Sequence, residues 1–512
     1  MKRVVDALLG IDFGTSNVKA AVYEPSGRVV SLALAGTPVV NEGPGRAVYP
    51  ADRVWQTVAG VVRDAVSQLK QTTRIAAVAT TSVGESVFPI DRDGEALAPA
   101  LAWYDDRTQA LTADWSSPEM AGPVFRISGV QVDGIYSAFK VLWFKREHSD
   151  LYARTRHWMP VGDYLNFRLC GNVAVCSSLA SRTLLLDLSR REWSRDLMET
   201  FGLDQGQWPE VVTAGTRLGG VTRAAADATG LAPGTPVVAG GHDHICGALA
   251  AGAHVAGVVL DSMGTTEAIF TTLEAPPLGE EARRLGYSLG CHVAPDRYYA
   301  INGIVGAGGL HAWLRRTFWA GIEARRGCLR RAGPRAAASG EGARGLVVLP
   351  YFAGPGLAHP EPEIRGAILG LTLQHRAGDV ARAVLEALTC EVRIMLQDLE
   401  RLANSSITSL RLIGGASRNA LWRRLKADIT GCAVSLPELV EAGCLGSAML
   451  AGLGVGLYRD ADDAVRQVYR ESEAEAPDAA AHARYEPIFA RFLRLRGEAG
   501  RLGRRVQFES EE

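Results

Sequence analysis

The sequence predicts an α/β protein made of two successive units, and two observations support this prediction. First, strand and helix patterns alternate: Val54 to Leu69 has helical spacing, and Ile75 to Ala79 is typical of a buried strand. Second, the alternation starts again at Leu231 to His244, where a Pro-Gly turn precedes a short apolar strand, and it continues to about Tyr458. Regular alternation of this kind favours helices packed on sheets.

The composition restricts the classes of partner and compartment. The 512 residues are 47% hydrophobic with a formal net charge of −1, and length alone suggests about three domains. We therefore expect neither nucleic acid nor an acidic membrane surface as a partner. The eight cysteines form no CxxC pair, which favours a reducing compartment. Without a secretory signal or an apolar run near the ~20 residues of a membrane span, the sequence predicts a soluble cytoplasmic protein.

The segment Leu8 to Ala21, LLGIDFGTSNVKAA, combines a strand end, a carboxylate and a glycine turn. Turn N–H groups beside hydroxyl side chains form an anion-binding concavity, and glycine lets the backbone approach the anion closely. Asp12, at the strand end, could hold a hydrated Mg²⁺ ion. An ordinary hairpin would show the same local pattern. The turn residues are Gly14, Thr15, Ser16 and Asn17.

Five stretches, in order, resemble the FGGY carbohydrate kinases, and the resemblance covers roughly Leu8 to Leu457. The first is the turn above, and the others are AWYDDRT from Ala102, GGHDHICGALAAG from Gly240, DSMGTTEAIF from Asp261, and the pair LPYFAGPG and LIGGASRNALW near the C-terminus. The resemblance implies two ribonuclease-H-like domains of the actin-like ATPase type, which flank a central cleft. It also implies ATP and Mg²⁺ as cofactors and a small sugar or polyol as the acceptor.

The resemblance implies a role for each matching residue on the nucleotide side. Two turns would hold the phosphates of ATP, one on each domain, and Asp12 would hold Mg²⁺ through water. Further residues would contact the adenine and ribose, with Asn419 at the base edge. Taken alone, IGGASRNALW is a common strand–turn–helix junction. The nucleotide-binding residues are Gly14, Thr15, Ser16, Asn17, Gly264, Thr265, Thr266, Gly308, Gly414, Gly415, Ala416 and Asn419.

Asp243 is the predicted general base. It follows a buried strand and the Gly240-Gly241 pair, so its carboxylate should stand at a strand end and accept the proton of the attacking hydroxyl. A metal cluster of His242, Asp243 and His244 is the competing interpretation, but adjacent strand residues point to opposite faces. His244 is instead expected to contact a sugar hydroxyl, with a buried structural histidine as the alternative.

The predicted sugar pocket contains Glu85, Trp103, Asp105, Arg107 and His244. Trp103 offers a flat apolar face to the sugar, whereas Asp105 and Arg107 either bind hydroxyls or form an ion pair that fixes their loop. Glu85 matches glycerol-kinase-like members, whereas the sugar motif as a whole is xylulokinase-like. The sequence therefore favours a ketopentose such as xylulose, with a polyol such as glycerol or erythritol as the alternative.

Two rival functions and the domain limits complete the predictions. A non-kinase actin-like ATPase, acting as sensor or chaperone, would not need the sugar motif, and a Rossmann dehydrogenase would need a GxGxxG that the chain lacks. We expect an N-terminal domain over residues 1–245, a C-terminal domain over 246–495 and a frayed tail over 496–512. The oligomeric state is left open by the sequence, with a homodimer as one option.

Overall fold

Strands and helices alternate along the chain. A computed structural model describes residues 5–264, 266–319, 336–354 and 364–506. Its strands are β1 Val5–Phe13, β2 Asn17–Tyr23, β3 Val29–Gly36, β4 Val40–Gly43, β5 Arg46–Tyr49, β6 Thr73–Ser82, β7 Val87–Ile90, β8 Ala100–Leu101, β9 His157–Pro160, β10 Val175–Cys176, β11 Leu186–Asp187, β12 Glu192–Trp193, β13 Val211–Val212, β14 Arg217–Gly220, β15 Pro236–His242, β16 Val258–Met263, β17 Glu267–Leu273, β18 Ser288–Cys291, β19 Tyr298–Ile304, β20 Val347–Leu349, β21 Ala367–Leu369, β22 Ser409–Ile413, β23 Ala433–Pro437 and β24 Glu471–Glu475.

The helices lie between and outside these strands. The α-helices are α1 Ala51–Ser67, α2 Pro118–Ser128, α3 Ser137–Glu147, α4 Ser149–Arg154, α5 Val161–Cys170, α6 Ser177–Ala180, α7 Arg195–Thr200, α8 Arg223–Thr229, α9 Asp243–Ala250, α10 Glu280–Arg284, α11 Ala307–Trp319, α12 Ala377–Ala403, α13 Ala420–Thr430, α14 Ala442–Gly454, α15 Ala461–Val468 and α16 Ala479–Val506. Short 3₁₀ helices cover Gln109–Trp115, Gln205–Gln207, Glu341–Gly345 and Gly415–Arg418.

Two large sheets share one pattern of strand pairing. The first has the order β14-β15-β6-β1-β2-β3, in which β1, β2 and β3 are antiparallel and β6 and β15 join in parallel. The second has the order β18-β19-β17-β16-β22-β23-β24, in which β16, β17 and β19 are antiparallel and β22 and β23 join in parallel. The chain thus repeats one α/β arrangement, as predicted, and the sheet is not of the Rossmann type.

Strand β1 is buried on both faces, which explains its continuous apolar sequence. Neighbouring residues of a strand point to opposite faces, so Leu9 packs into a core that contains α1 residues, whereas Leu8 packs into one that contains α9 and α14 residues. Asp12 interrupts the apolar run only at the end of this strand. Asp12 is therefore a polar side chain at the carboxyl end of a largely apolar strand.

Helix α14 connects the two halves of the molecule. It follows the second sheet in sequence, yet it packs against β1 and β6 of the first sheet and against α9. The approach is close because a methyl group on Gly10 would lie 1.8 Å from the carbonyl oxygen of Cys444, and one on Gly446 would lie 1.9 Å from that of Cys246. Glycine at both positions allows this direct packing of backbone on backbone.

Two predicted limits fall within helices. The division after residue 245 lies inside α9, Asp243–Ala250. The predicted tail begins inside α16, which continues to Val506, and Arg496 forms an ion pair with Glu391 and a hydrogen bond with the hydroxyl of Tyr351. Residues 507–512 lie outside the described part.

The described residues also show two general properties, which concern membrane spans and cysteines. None of the helices in the described ranges combines the length and the apolar character of a membrane span. The seven cysteines within these ranges are free and buried, so each packs as a small apolar side chain.

Candidate active site

The parallel strands of the first sheet place three carboxylates near one edge. Asp12 pairs with Thr81 on β6, and Ser82 at the end of β6 pairs with His242 at the end of β15. Glu85 follows Ser82 by three residues, and Asp243 follows His242 directly. Because the carboxyl ends of neighbouring parallel strands meet at the same edge, residues 70 to 230 positions apart come together.

Asp243 stands at the first residue of α9, where the strand ends and the helix begins. Its Oδ1 accepts a hydrogen bond of 2.6 Å from the backbone N–H of His244, and its side chain keeps a quarter of its surface exposed. Burial raises the pKa of Asp243, and the negative charge of Glu85 raises it further, whereas His244 and Arg182 oppose the shift. A carboxylate with a raised pKa is a stronger proton acceptor than an exposed one.

The two histidines beside Asp243 occupy different environments. His242 is buried, with its Nε2 3.3 Å from Asp243 Oδ1, and burial together with the charge of Arg182 holds its pKa well below the usual range. His244 is exposed, which contradicts the alternative of a buried structural histidine. Among the described residues, no three His, Cys, Asp or Glu side chains form a metal-binding group.

The surroundings of Asp12 stabilise its negative charge only weakly. Its Oδ1 is buried without a hydrogen-bond partner in the described part of the chain. Burial first, and then the charge of Asp243, raise the pKa of Asp12 to about 7. Gly443 lies against the other oxygen, since a methyl group there would be 2.8 Å from Asp12 Oδ2. An unsatisfied carboxylate oxygen at a glycine-lined position suits a hydrated divalent cation.

The first glycine turn is a hairpin between β1 and β2. The Gly14 N–H donates to the Asn17 carbonyl at 3.0 Å, and the Thr37 hydroxyl donates to the Gly14 carbonyl at 2.7 Å, so the turn is held from both sides. A methyl group on Gly14 would lie 3.2 Å from the Asn17 oxygen. Thr15 and Ser16 are exposed at its tip.

The sugar-motif loop and this hairpin touch. Trp103 Nε1 donates a hydrogen bond of 2.9 Å to Thr15 Oγ1, and the Tyr104 ring meets the indole edge-on at 5.4 Å. Lys140 lies beneath the loop and donates to the Ala102 carbonyl at 2.8 Å. Two residues predicted for different ligands are thus direct neighbours.

Asp105 and Arg107 form the ion pair that the sequence allowed as an alternative to the binding of hydroxyls. Asp105 Oδ1 accepts from Arg107 Nε at 2.7 Å, and Oδ2 accepts from the Ala47 N–H at 2.7 Å and from Arg107 Nη2 at 2.8 Å. Arg107 also pairs with Glu42. Because both carboxylate oxygens are engaged within the protein, Asp105 fixes the loop.

Glu85 is also paired, with a residue that the sequence did not single out. Its Oε1 accepts a hydrogen bond from Arg182 Nε at 2.6 Å and lies 2.5 Å from Nη2 in the same ion pair, and both side chains are about nine-tenths buried. The guanidinium lies 5.1 Å from the centre of the Tyr136 ring. Glu85 has a backbone φ of 61°, which is unusual for a residue with a side chain and indicates that its surroundings fix the carboxylate.

The second glycine turn lies between β16 and β17. Gly264 donates to the Thr266 carbonyl at 3.2 Å, and both residues are exposed. Gly414, with φ of 92°, packs on this turn so closely that a methyl group would lie 2.6 Å from the Met263 oxygen. Thr265, which is predicted to bind phosphate, lies outside the described residues.

The remaining nucleotide-side residues surround the second turn. Gly308 is in the first turn of α11, directly after β19, whose Ile304 pairs with Glu267 on β17. Gly415 is exposed, with open space around it, and Ala416 follows in the same 3₁₀ turn. Asn419 Oδ1 accepts from the Trp422 N–H and so caps α13, a role that the base-edge prediction did not include.

A contact between Lys19 and Glu441 joins the edges of the two sheets. Lys19 on β2 forms an ion pair with Glu441, which directly precedes α14, and the Tyr23 hydroxyl donates to the Val440 carbonyl at 2.8 Å. Glu441 follows the end of β23, on the carboxyl edge of the second sheet. The segment that follows β23 therefore reaches the carboxyl edge of the first sheet, beside Asp12.

Comparisons with known proteins decide the family. The sequence pattern of the N-terminal domain of the FGGY family of carbohydrate kinases matches residues 7–250, and that of the C-terminal domain matches residues 259–455. The chain belongs to the FGGY family. It is therefore an ATP-dependent carbohydrate kinase, and this assignment replaces the alternatives of a sensor, a chaperone or a dehydrogenase.

Individual FGGY relatives cover nearly the whole chain. The xylulose kinase of Bacillus subtilis is 28% identical over 483 residues, covering 94% of this chain and 95% of the relative. A glycerol kinase of Ralstonia nicotianae is 31% identical over 478 residues, covering 90% and 92%. The crystal structure of xylulose kinase from Rhodospirillum rubrum matches with a TM-score of 0.88 and 25% identity, covering 97% and 100%.

Several residues near the candidate active site were not predicted from the sequence. Arg182 and Lys140 each meet their partners across 38 to 97 residues, and they lie in segments with no turn or glycine signal. Gly443 and Glu441 come from the far end of the chain. Only the fold brings such residues to Glu85, Ala102 and Asp12, so a pattern within the sequence could not identify them.

Proposed function

We propose that the protein transfers the γ-phosphoryl group of ATP to a terminal hydroxyl of a ketopentose such as xylulose. The position of Asp243 carries the proposal. Asp243 directly follows His242, which pairs with Ser82 on β6, and the neighbouring Thr81 pairs with Asp12, so Asp243 shares one sheet edge with Asp12 and the segment of Glu85. The charge of Asp243 acts on Asp12, and the charges of Glu85 and Arg182 act on Asp243. A base between a cation-binding carboxylate and a polar pocket stands where the phosphoryl group and the hydroxyl must meet.

In the proposed reaction, Asp243 accepts the proton of the substrate hydroxyl while the hydroxyl oxygen attacks the γ-phosphorus and ADP leaves. Backbone N–H groups and hydroxyls of the two glycine turns bind the phosphates. Asp12 would hold Mg²⁺, which when bound neutralises charge on the β- and γ-phosphates. Trp103 would cover the apolar face of the sugar. Its hydrogen bond to Thr15 holds the indole in a fixed orientation for this contact.

A substrate panel and one substitution test this proposal. ADP release is measured with xylulose, ribulose, glycerol, erythritol and no acceptor, and we expect the largest kcat/KM for a ketopentose. Asp243→Asn should lower kcat about 100- to 10,000-fold, because the amide cannot accept the proton, while ATP binding measured by calorimetry stays within about two-fold. Asp106→Asn is the control, since Asp106 is exposed on the sugar-motif loop.

Two results would contradict the proposal. Near-normal turnover of the Asp243→Asn variant would exclude Asp243 as the base. Faster ADP release with glycerol or erythritol than with any ketopentose would favour the alternative, a polyol kinase. That alternative is supported by the glycerol-kinase-like Glu85 and by the similarity to a glycerol kinase.

A further inference from the structure

A buried cation, Arg182, lies close to Asp243. The Arg182 guanidinium lies about nine-tenths buried, with its aliphatic part against Gly84, where an added methyl group would lie 3.0 Å from Arg182 Cγ. The same methyl group would lie 3.2 Å from His242 Cδ2. Arg182 is therefore next to the histidine that adjoins the predicted base.

Glu85 neutralises this cation. Its Oε1 accepts from Nε of Arg182 and forms an ion pair with Nη2, whereas Nη1 is buried without a hydrogen-bond partner among the described residues. The Tyr299 hydroxyl lies beside the guanidinium, and the Tyr136 ring covers it at 5.1 Å. Two aromatic residues and one carboxylate therefore enclose the guanidinium, and only the carboxylate balances its charge.

Two carboxylates and a lysine surround the pair. The charges of Glu85 and Arg182 act on the carboxylates of Asp133 and Asp243, and the charge of Glu85 also acts on the buried ammonium of Lys140, whose pKa burial lowers to about 7. An anionic ligand would meet an arginine that Glu85 already neutralises and would gain little attraction from it, whereas an uncharged ligand needs hydrogen-bonding groups only.

We infer that the Glu85–Arg182 pair determines the charge of the substrate: it admits an uncharged polyhydroxy compound and excludes a sugar acid of the same length. The inference rests on the proposed function, because it concerns the acceptor side of the same site. Glu85 and Arg182 are specificity-determining residues in this account. Removing the charge of Glu85 leaves Arg182 unbalanced, and an unbalanced buried guanidinium attracts a carboxylate.

The test compares xylonate with xylitol, which have the same length and differ in charge. Binding of each to the ADP complex is measured by calorimetry, so the result does not depend on turnover. We expect the wild-type protein to bind xylitol about 10-fold or more tighter than xylonate. In Glu85→Gln this ratio should fall about 10- to 100-fold in favour of xylonate, because Gln keeps the shape and one acceptor but not the charge.

Two further variants separate the pair from the general charge of the pocket. Asp133→Asn removes a neighbouring carboxylate and leaves the Glu85–Arg182 pair intact, so the ratio should change less than about three-fold. In Glu85→Gln combined with Arg182→Met, the gain in xylonate binding should disappear. Thermal unfolding of each variant checks that it is folded.

Three outcomes would overturn the inference. The first is equal binding of xylonate and xylitol by the wild-type protein, a measurement that needs no variant. The second is an unchanged ratio of xylitol to xylonate affinity in folded Glu85→Gln. The third is a gain in xylonate binding in Asp133→Asn as large as that in Glu85→Gln. Failure of the proposed function would be recognised separately, as absence of acceptor-stimulated ADP release by a wild-type protein that still distinguishes the two ligands.

Discussion

Lys140 is the residue whose environment has the clearest consequence for pH dependence. It is fully buried, and its ammonium donates to the carbonyl of Ala102, directly before Trp103. Burial lowers the pKa of Lys140 to about 7, although Glu85 and Asp105 oppose the shift. The lysine that supports the sugar-motif loop is thus partly neutral near physiological pH.

This lowered pKa predicts how Lys140 contributes to stability. Between pH 7 and 10.5 the unfolded chain keeps the Lys140 proton and the folded protein releases it, so the contribution rises with pH and is lost as the pH falls to about 7. The free energy of unfolding of the wild-type protein minus that of Lys140→Met should therefore rise with pH, with a slope of up to about 1.4 kcal/mol per pH unit. Urea denaturation at several pH values measures it.

Lys145→Met provides the matched control for this measurement. Lys145 is exposed on the same helix, α3, so its substitution should leave the pH slope unchanged. A wild-type and Lys140→Met difference that is constant from pH 7 to 10 would contradict a lowered pKa at Lys140.

Predictability at the residue scale depended on where the partners lie in the chain. Asp12 lies at the end of β1 and Asp243 directly after β15, so their positions at one sheet edge could be predicted. The engagement of Asp105 by the Ala47 N–H, and of Glu85 by Arg182, could not, because each partner lies on a distant segment. The sequence indicates which residue types are present, but the fold decides which hydrogen bonds remain for a ligand.

At the scale of elements, a buried ion cluster supports the second glycine turn. Lys426 on α13 forms ion pairs with Asp261 on β16 and Glu267 on β17, and all three side chains are completely buried. Burial raises the pKa of Glu267 to about 8, which the charge of Lys426 opposes. The two strands that flank the turn are thus joined through one ammonium group.

Removing the Lys426 ammonium should lower the stability of the protein. Lys426→Met leaves two buried carboxylates without their cation, so the free energy of unfolding should fall by about 3–5 kcal/mol. Arg424→Met is the control on the same helix, because Arg424 is partly exposed and its pair with Asp428 should contribute no more than about 1 kcal/mol. Urea denaturation of the two variants compares them, and equal losses would contradict the role assigned to the cluster.

Elements with a clear pattern were predicted, and their ends were not. The spacing from Val54 to Leu69 matches α1, Ala51–Ser67, and the first hairpin forms where Gly14 occurs. Helix α16 extends past residue 495, where the sequence predicts a frayed tail. Arg496 contacts Glu391 and Tyr351 there, and no local sequence pattern contains this contact.

For the whole molecule, the close packing of α14 sets how the two halves fit together. An added methyl group on Gly446 would collide with the backbone oxygen of Cys246 at 1.9 Å, and backbone cannot move as a flexible side chain can. Gly446→Ala should therefore lower the free energy of unfolding by about 1–3 kcal/mol and reduce kcat, since α14 leads directly to Gly443 beside Asp12.

Gly247→Ala is the matched control on the facing helix. A methyl group there would meet only Ala442 Cβ, at an ordinary contact distance of 3.7 Å, and alanine favours a helix over glycine by about 1 kcal/mol. Its melting temperature should stay the same or rise. A Gly446→Ala variant as stable and active as Gly247→Ala would contradict close packing at this crossing.

The arrangement of the whole molecule could be predicted only in part. Two α/β units follow from the alternation of patterns, and a cleft follows from the resemblance. The return of α14 to the first sheet could not be foreseen, because its sequence, AGCLGSAMLAGLG, is apolar on all sides and specifies burial without a partner. The contact between α14 and α9 could not be foreseen either, and the predicted division after residue 245 falls inside α9.

The hydrogen bond from Trp103 to Thr15 would make the two halves of the proposed reaction dependent on each other. With the acceptor on Trp103 and the phosphates on the turn that holds Thr15, as proposed, an acceptor that shifts the indole would also shift the Thr15 hydroxyl. By thermodynamic reciprocity, any tightening of ATP by the acceptor is matched by an equal tightening of the acceptor by ATP. Futile hydrolysis in the absence of an acceptor would then be restrained by the indole itself.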